Sequence, residues 1–194
     1  MEKIIVTDCD GVLLNWEYAF VCWMEQHGYT EIENGNMEYD VGKRFGITLK
    51  EAIEKVIIFN ESAAMAFLPA LRDARHYVKR LHEEHGYVFH CITSMSVDPN
   101  AKKLRQMNLN KLFGPTVFPV LECLDTGADK DQALEKYADT GYYWIEDKFS
   151  NAVAGQAVGM KPILIEHGWN MHEVVPDGMK KVTCWKEIYE HIVK

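Results

Sequence analysis

Asp8 and Asp10 stand two residues apart at the end of an apolar run (residues 3–8, KIIVTD) and are followed by Gly11. Carboxylates spaced i, i+2 at the carboxyl end of a parallel strand sit where open α/β sheets place their ligand crevice. There they can hold a hard cation and act on phosphate. A calcium loop is excluded: Leu13 occupies the sixth position from Asp8, where glycine is needed, and the twelfth position is Ala19 rather than glutamate. A capping turn stays open while this segment is taken alone. Three further segments offer complementary chemistry. Thr93 and Ser94 bring hydroxyls and neighbouring amides to the end of a second apolar run, a cradle for phosphate oxygens. Glu146 and Asp147 end a later run with two more carboxylates, and Lys130 lies between, within residues 127–131. Taken singly, each is a loop start, a helix cap or a solvated lysine. Together, in this order and mostly at strand ends, they point to one phosphate site.

The elements that must position these groups follow from periodicity. Short runs rich in β-branched residues recur at 87–93, 116–120, 142–146 and 162–165, as in strands buried on both faces of a parallel sheet. Leu71, Ala74, Val78 and Leu81 share one helical face, Ala133, Leu134 and Tyr137 another, and residues 151–158 form a helical segment of small residues. Trp185, Ile188 and Ile192 predict a final helix packed back on the sheet. This alternation predicts an α/β fold, a Rossmann-like parallel sheet with helices on both faces. About sixty residues between the first strand and a helix starting near Ala70 carry no strand pattern, far more than a βα loop needs. They predict a small inserted α-helical module: a helix near 16–27, a polar connection over 34–46, and a second helix near 49–60 capped by Thr48.

Composition narrows the function classes. The chain has 194 residues, enough for one domain carrying a small insertion. With 47% apolar and 26% charged residues it is neither disordered, collagenous nor coiled-coil. The net charge of −8 repels a phosphate backbone, so duplex nucleic acid is not an expected partner. No apolar run approaches the roughly 18 residues of a membrane span, and none is expected. The chain enters its first strand from Met1-Glu2-Lys3 without the pattern of a secretory leader, so a cytoplasmic location is expected. Cys9, Cys22, Cys91, Cys123 and Cys184 form no Cys-x-x-Cys pair and read as reduced, mostly buried thiols. Neither a phosphate-loop nor a dinucleotide fingerprint occurs. Gly155 and Gly159 are expected to serve close packing of their helix, and His82, His85 and His90 do not make a tetrahedral zinc set.

The four segments resemble the motifs of the haloacid dehalogenase-like superfamily: Asp-x-Asp-Gly, a strand-terminal Thr or Ser, a Lys, and a strand-terminal acidic pair. Residues 145–160, with their small-residue helix and terminal Gly159-Met160, look like that family's fourth motif, although Asn151 stands where many capped members have glycine. The insertion falls where the family's C1 cap falls. The resemblance implies a core of residues 1–13 and 70–194 and a helical cap of residues 14–69. It also implies a Mg²⁺-dependent phosphatase acting on a small soluble phosphate ester. Asp8 would attack phosphorus and form an aspartyl phosphate, and Asp10 would protonate the leaving oxygen and then activate water. Mg²⁺ would be held by the Asp8 carboxylate, the Asp10 carbonyl and Asp147, with Glu146 reaching it through water. Thr93, Ser94 and Lys130 would hold the phosphoryl oxygens. A phosphosugar phosphatase or mutase and a catalytically silent binding protein are the rival readings. Against silence, every chemical position carries a competent side chain.

Residues 38–46 and 167–170 are similar to segments of 5′(3′)-deoxyribonucleotidase-type phosphatases, which implies a nucleoside 5′-monophosphate as substrate. Trp16, Phe20 and Trp23 form one helical stripe and are expected in the cap core. Tyr18, on another face, and Trp169 are the candidates for contact with the leaving group. Lys43 and Arg44 could steer a phosphate or simply solvate a loop.

Overall fold

In the computed structural model, which describes residues 3–194, six strands build one sheet; Met1 and Glu2, the start of the expected core segment, lie outside the described residues. The strands are β1 (Lys3–Thr7), β2 (Tyr87–Thr93), β3 (Val120–Cys123), β4 (Tyr143–Glu146), β5 (Lys161–Ile165) and β6 (Lys180–Val182). Their order is β3-β2-β1-β4-β5-β6, and every neighbouring pair is parallel. The helices are α1 (Trp16–Gln26), α2 (Val41–Phe45), α3 (Leu49–Glu61), α4 (Ala74–His85), α5 (Pro99–Phe113), α6 (Asp131–Leu134), α7 (Phe149–Ala157) and α8 (Trp185–Ile192).

The pleat sends alternate side chains to two separate layers. Ile5, Phe89, Cys91 and Ile145 face the layer of α4, α5 and α8, where Val78, Leu109 and Trp185 are buried against them. Val6, Ile92 and Trp144 face the opposite side and meet Leu134 and Tyr137. The predicted α/β sheet with helices on both faces is therefore observed. Each fully buried large side chain contributes roughly 1.5–3 kcal/mol of transfer free energy, which the charged outer faces of the helices could not supply. Close packing on the second face needs Gly155. A Cβ there would stand 2.3 Å from Cδ1 of Trp144, whose Nε1 donates to the Asn151 carbonyl at 3.0 Å.

Four differences from the sequence reading have physical reasons. The third strand lies at Val120–Cys123 rather than 116–120, because Pro119 has no N–H for a ladder; Val117 and Phe118 are instead buried in the approach to the strand. β6 is a three-residue edge strand whose two lysines hide the apolar signal. α5 escaped notice because its buried face includes Arg105 and Asn108 as well as Ala101, Leu109 and Phe113. Within the insertion, α2 occupies part of the expected polar connection, capped by Asp40 Oδ1, which accepts from the Gly42 and Lys43 amides. The Thr48 cap of α3 and the final helix α8 lie where periodicity put them. Cys9 and Cys91 are buried, whereas Cys22, Cys123 and Cys184 are half-buried.

The inserted helices leave and rejoin the sheet through adjacent connections. Leu14 bridges antiparallel to Ala70, Asn15 N–H donates to the Pro69 carbonyl and Leu71 N–H to the Leu13 carbonyl, both at 2.9 Å. Among the described residues no helix is long and apolar enough to cross a membrane.

Candidate active site

The strand order reverses at β1: the chain proceeds outward through β2 and β3, then returns to place β4 on the other side of β1. Such a switch point opens a crevice at the carboxyl ends of the two strands. Asp8 and Asp10 follow β1 there, Glu146 and Asp147 end and follow β4, and Thr93 and Ser94 end and follow β2. The Asp8 amide donates to the Ile145 carbonyl at 2.9 Å, fixing the acidic segments side by side.

Lys130 links the carboxylates. Its Nζ lies 2.8 Å from Asp8 Oδ1 and 2.8 Å from Glu146 Oε2, and its side chain is buried. The other Glu146 oxygen accepts from the Asp147 and Lys148 amides at 3.2 and 3.0 Å. Burial pushes the carboxyls of Asp8 and Asp147 above the ordinary range, and the neighbouring carboxylates push in the same direction. Burial alone would lower Lys130, but Asp8 and Glu146 hold it above the usual lysine value. One ammonium against three buried carboxylates leaves a charge deficit that a cation would neutralise. Oxygens of Asp8, Glu146 and Asp147 lie within 4.8 Å of one another, a hard donor set that fits Mg²⁺. Gly11 makes room for the Asp147 carboxylate: at φ +74° its missing Cβ would stand 2.4 Å from Asp147 Oδ2.

No family model matches this chain. An uncharacterized 32.4 kDa protein of Enterobacteria phage T4, from the Gp30-rIII intergenic region, is 26% identical over 145 residues, covering 71% of this chain and 51% of that protein. The chain thus spans about half the length of that curated relative. Among solved structures, a haloacid dehalogenase-like family hydrolase from Streptococcus pneumoniae superposes with a TM-score of 0.66 at 14% identity, covering 98% of both chains. CbbY from Rhodobacter sphaeroides, in complex with phosphate, gives 0.63 at 17% identity, covering 97% of this chain and 96% of its own. The D,D-heptose 1,7-bisphosphate phosphatase of B. bronchiseptica, complexed with magnesium and phosphate, gives 0.62 at 14% identity, covering 98% of both. The fold is that of the haloacid dehalogenase-like hydrolases.

In this haloacid dehalogenase-like fold the inserted helices roof the crevice and enclose a cavity of about 260 Å³. Its sheet side includes Asp8, Asp10, Thr93, Lys130, Asp147 and Trp169; its cap side includes Trp16, Glu17, Phe20, Tyr39, Arg44 and Asn60. The structure thus brings together the sequence candidates except Tyr18 and Lys43; the Lys43 side chain is exposed and pairs with Glu38, whereas Arg44 lines the cavity. Tyr18 is 61% exposed and is not among the cavity-lining residues, because its helix turns the Trp16–Phe20 stripe inward. Trp16 and Phe20 stack at 4.6 Å as cap core and also form the cavity wall. Trp169 lines the cavity and is half-buried. His167 stacks parallel to it at 4.3 Å, and Tyr39 from the cap meets it edge-on at 6.0 Å. Ser94 donates its hydroxyl to the Ala128 carbonyl at 2.7 Å, which ties the end of β2 to the loop carrying Lys130.

Several supporting residues were missed in sequence. His167 Nε2–H donates to the Gly11 carbonyl at 2.7 Å, and burial lowers this imidazole to about 4. Asn170 donates to the carbonyls of Asp147 and Ile165 at 2.7 and 2.8 Å. One turn after β5 therefore clamps both acidic loops. Arg105 is fully buried against Asp10. Its signal was present: Asp98-Pro99 is a helix start, and Arg105 falls between Ala101 and Leu109 on one apolar stripe.

Proposed function

We propose that this chain is a Mg²⁺-dependent phosphomonoester hydrolase that works through an aspartyl phosphate on Asp8 and acts on a small soluble ester in the cytoplasm, with a nucleoside 5′-monophosphate as the preferred substrate. The observation that carries the reading is the convergence of Asp8, Thr93, Lys130 and Asp147 on one crevice beneath the cap. Asp8 attacks phosphorus and expels the ester oxygen, which splits a difficult hydrolysis into two displacements. Lys130 neutralises charge on Asp8 and the incoming phosphoryl group. With the Ser94 hydroxyl donating to Ala128, Thr93 is the hydroxyl left for the phosphoryl oxygens. Asp10 passes a proton to the leaving oxygen and later takes one from the attacking water. Asp8 and Asp147, with the Asp10 carbonyl and with Glu146 through water, would hold Mg²⁺, whose charge would offset the anionic repulsion between nucleophile and phosphate. A solved neighbour of the same fold was obtained with magnesium and phosphate, which supports this choice of ion.

The apolar cap wall of Trp16 and Phe20 suits a ring-bearing leaving group. Because His167 stacks on Trp169 and Tyr39 meets it edge-on, that residue contributes as part of the wall rather than as a free stacking platform. The test is phosphate release from a panel of p-nitrophenyl phosphate, nucleoside monophosphates and sugar phosphates, with and without chelator. Activity on several esters, removed by chelation and by Asp8→Asn, is expected. Wild-type rates in the Asp8→Asn protein would overturn the nucleophile, and full activity in chelator would overturn the metal.

A further inference from the structure

The cap side of the cavity carries an unusual charge arrangement. Arg44 in α2 is buried and lines the cavity, the obvious position from which to hold a second anion on the substrate. Its guanidinium is already enclosed by two carboxylates. Nη1 pairs with Glu17 Oε1 in the first turn of α1, and Nε lies 2.8 Å from Glu31 Oε1. Two carboxylates share this one guanidinium, so within the ion-paired cluster negative charge exceeds positive; Arg72 adds only a weaker attraction on Glu17. Glu17 itself lines the cavity, whereas Glu31 is not among the lining residues, so the unbalanced carboxylate faces the substrate space from Glu17. Glu38, also on the cap side, adds a further negative charge, partly met by Lys43 at 3.9 Å. Burial raises the Glu17 carboxyl and Glu31 adds to the rise, while Arg44 and, more weakly, Arg72 oppose it. The two ends of the cavity thus differ in kind: the phosphate end combines Lys130 with the Asp8, Glu146 and Asp147 carboxylates, whose excess charge a cation would offset, and the cap end carries Glu17 beside Arg44.

From Glu17, its pairing to Arg44 and its place on the cavity wall, we infer that Glu17 determines specificity by accepting a hydrogen bond from a hydroxyl or amino group of the leaving group and by rejecting esters with a second phosphate. This deepens the phosphomonoesterase reading and rests on it. A second phosphate at the cap end would meet a half-buried negative charge while its natural partner, Arg44, is ion-paired; a neutral donor-bearing group would satisfy the second Glu17 oxygen. Nucleoside monophosphates meet the requirement, and nucleoside bisphosphates do not.

The experiment compares kcat/KM for adenosine 5′-monophosphate and adenosine 3′,5′-bisphosphate in the Mg²⁺-loaded protein. Wild type should favour the monophosphate, and Glu17→Gln should reduce that ratio about tenfold by removing the charge while keeping the shape. Glu17→Asp keeps the charge and should retain most of the preference. Because Glu17→Gln could disturb the Arg44 cluster, the wild-type protein supplies an independent measurement: its kcat/KM for the monophosphate should exceed that for the bisphosphate. An unchanged ratio in Glu17→Gln, or a wild-type preference for the bisphosphate, overturns the role of Glu17 and leaves the phosphatase reading standing. A wild-type protein inert on every ester, p-nitrophenyl phosphate included, overturns both.

Discussion

Arg105 sets its two terminal nitrogens on the two carboxylate oxygens of Asp10, Nη1 at 2.5 Å from Oδ1 and Nη2 at 2.8 Å from Oδ2. The guanidinium is fully buried, and its other neighbours are sulfur atoms of Cys9, Met65 and Met95, each at 3.3 Å. Thioethers and thiols are weak acceptors, so Asp10 is the group that compensates this charge. The fork also holds Asp10 beside the crevice in one orientation, with α5 as its support.

Arg105→Met should therefore leave Asp10 without its partner and destabilise the fold by about 3–5 kcal/mol, the range for breaking a buried ion pair. Arg105→Lys, which keeps the charge and loses the bidentate geometry, should cost less. Urea unfolding of the two variants against wild type measures both effects. An unchanged midpoint in Arg105→Met would show that the pair contributes no net stability.

Gly11→Ala should damage the acidic site more than the fold. The positive φ costs roughly 1–2 kcal/mol for a residue with a Cβ, while that Cβ must displace the Asp147 carboxylate it would meet at 2.4 Å. The half-saturating Mg²⁺ concentration for activity should rise at least about tenfold. Wild-type metal dependence in this variant would refute the placement of Asp147 against Gly11.

His167 predicts a pH dependence of stability. Its folded pKa is lowered to about 4, chiefly by burial, below the ordinary value of 6.5. Between these values the unfolded chain binds the extra proton, so the His167 contribution is complete above about pH 6.5 and is lost as pH falls towards 4. The slope is at most ~1.4 kcal/mol per pH unit from this one group. Thermal unfolding of wild type and His167→Gln from pH 7 to 4.5 should show a steeper decline in wild type. Parallel curves would exclude His167 as the source.

Much of the site was legible because strand ends are short and chemically distinctive. Asp8, Asp10, Thr93, Glu146 and Asp147 terminate or follow apolar runs, and a parallel sheet collects such ends along one edge. The cap helices were legible from the Trp16–Phe20 stripe and the Thr48 cap. Residues whose roles come from distant partners were harder to read. Tyr18 and Trp16 are close neighbours in sequence, yet the packing of α1 exposes the first and sets the second in the cavity wall.

The sequence by itself determined the alternating α/β architecture, the insertion after the first strand and the acidic, hydroxyl and lysine groups of the crevice, since period and residue type are local properties of the chain. Tertiary structure alone decided that Lys130 bridges Asp8 and Glu146, that Arg105 faces Asp10 across 95 residues, and that His167 reaches Gly11 across 156. These pairings depend on which buried groups must find partners once the helices close over the sheet. Burial makes an unpaired charge or donor costly, and only the assembled packing determines which distant group lies within hydrogen-bonding reach.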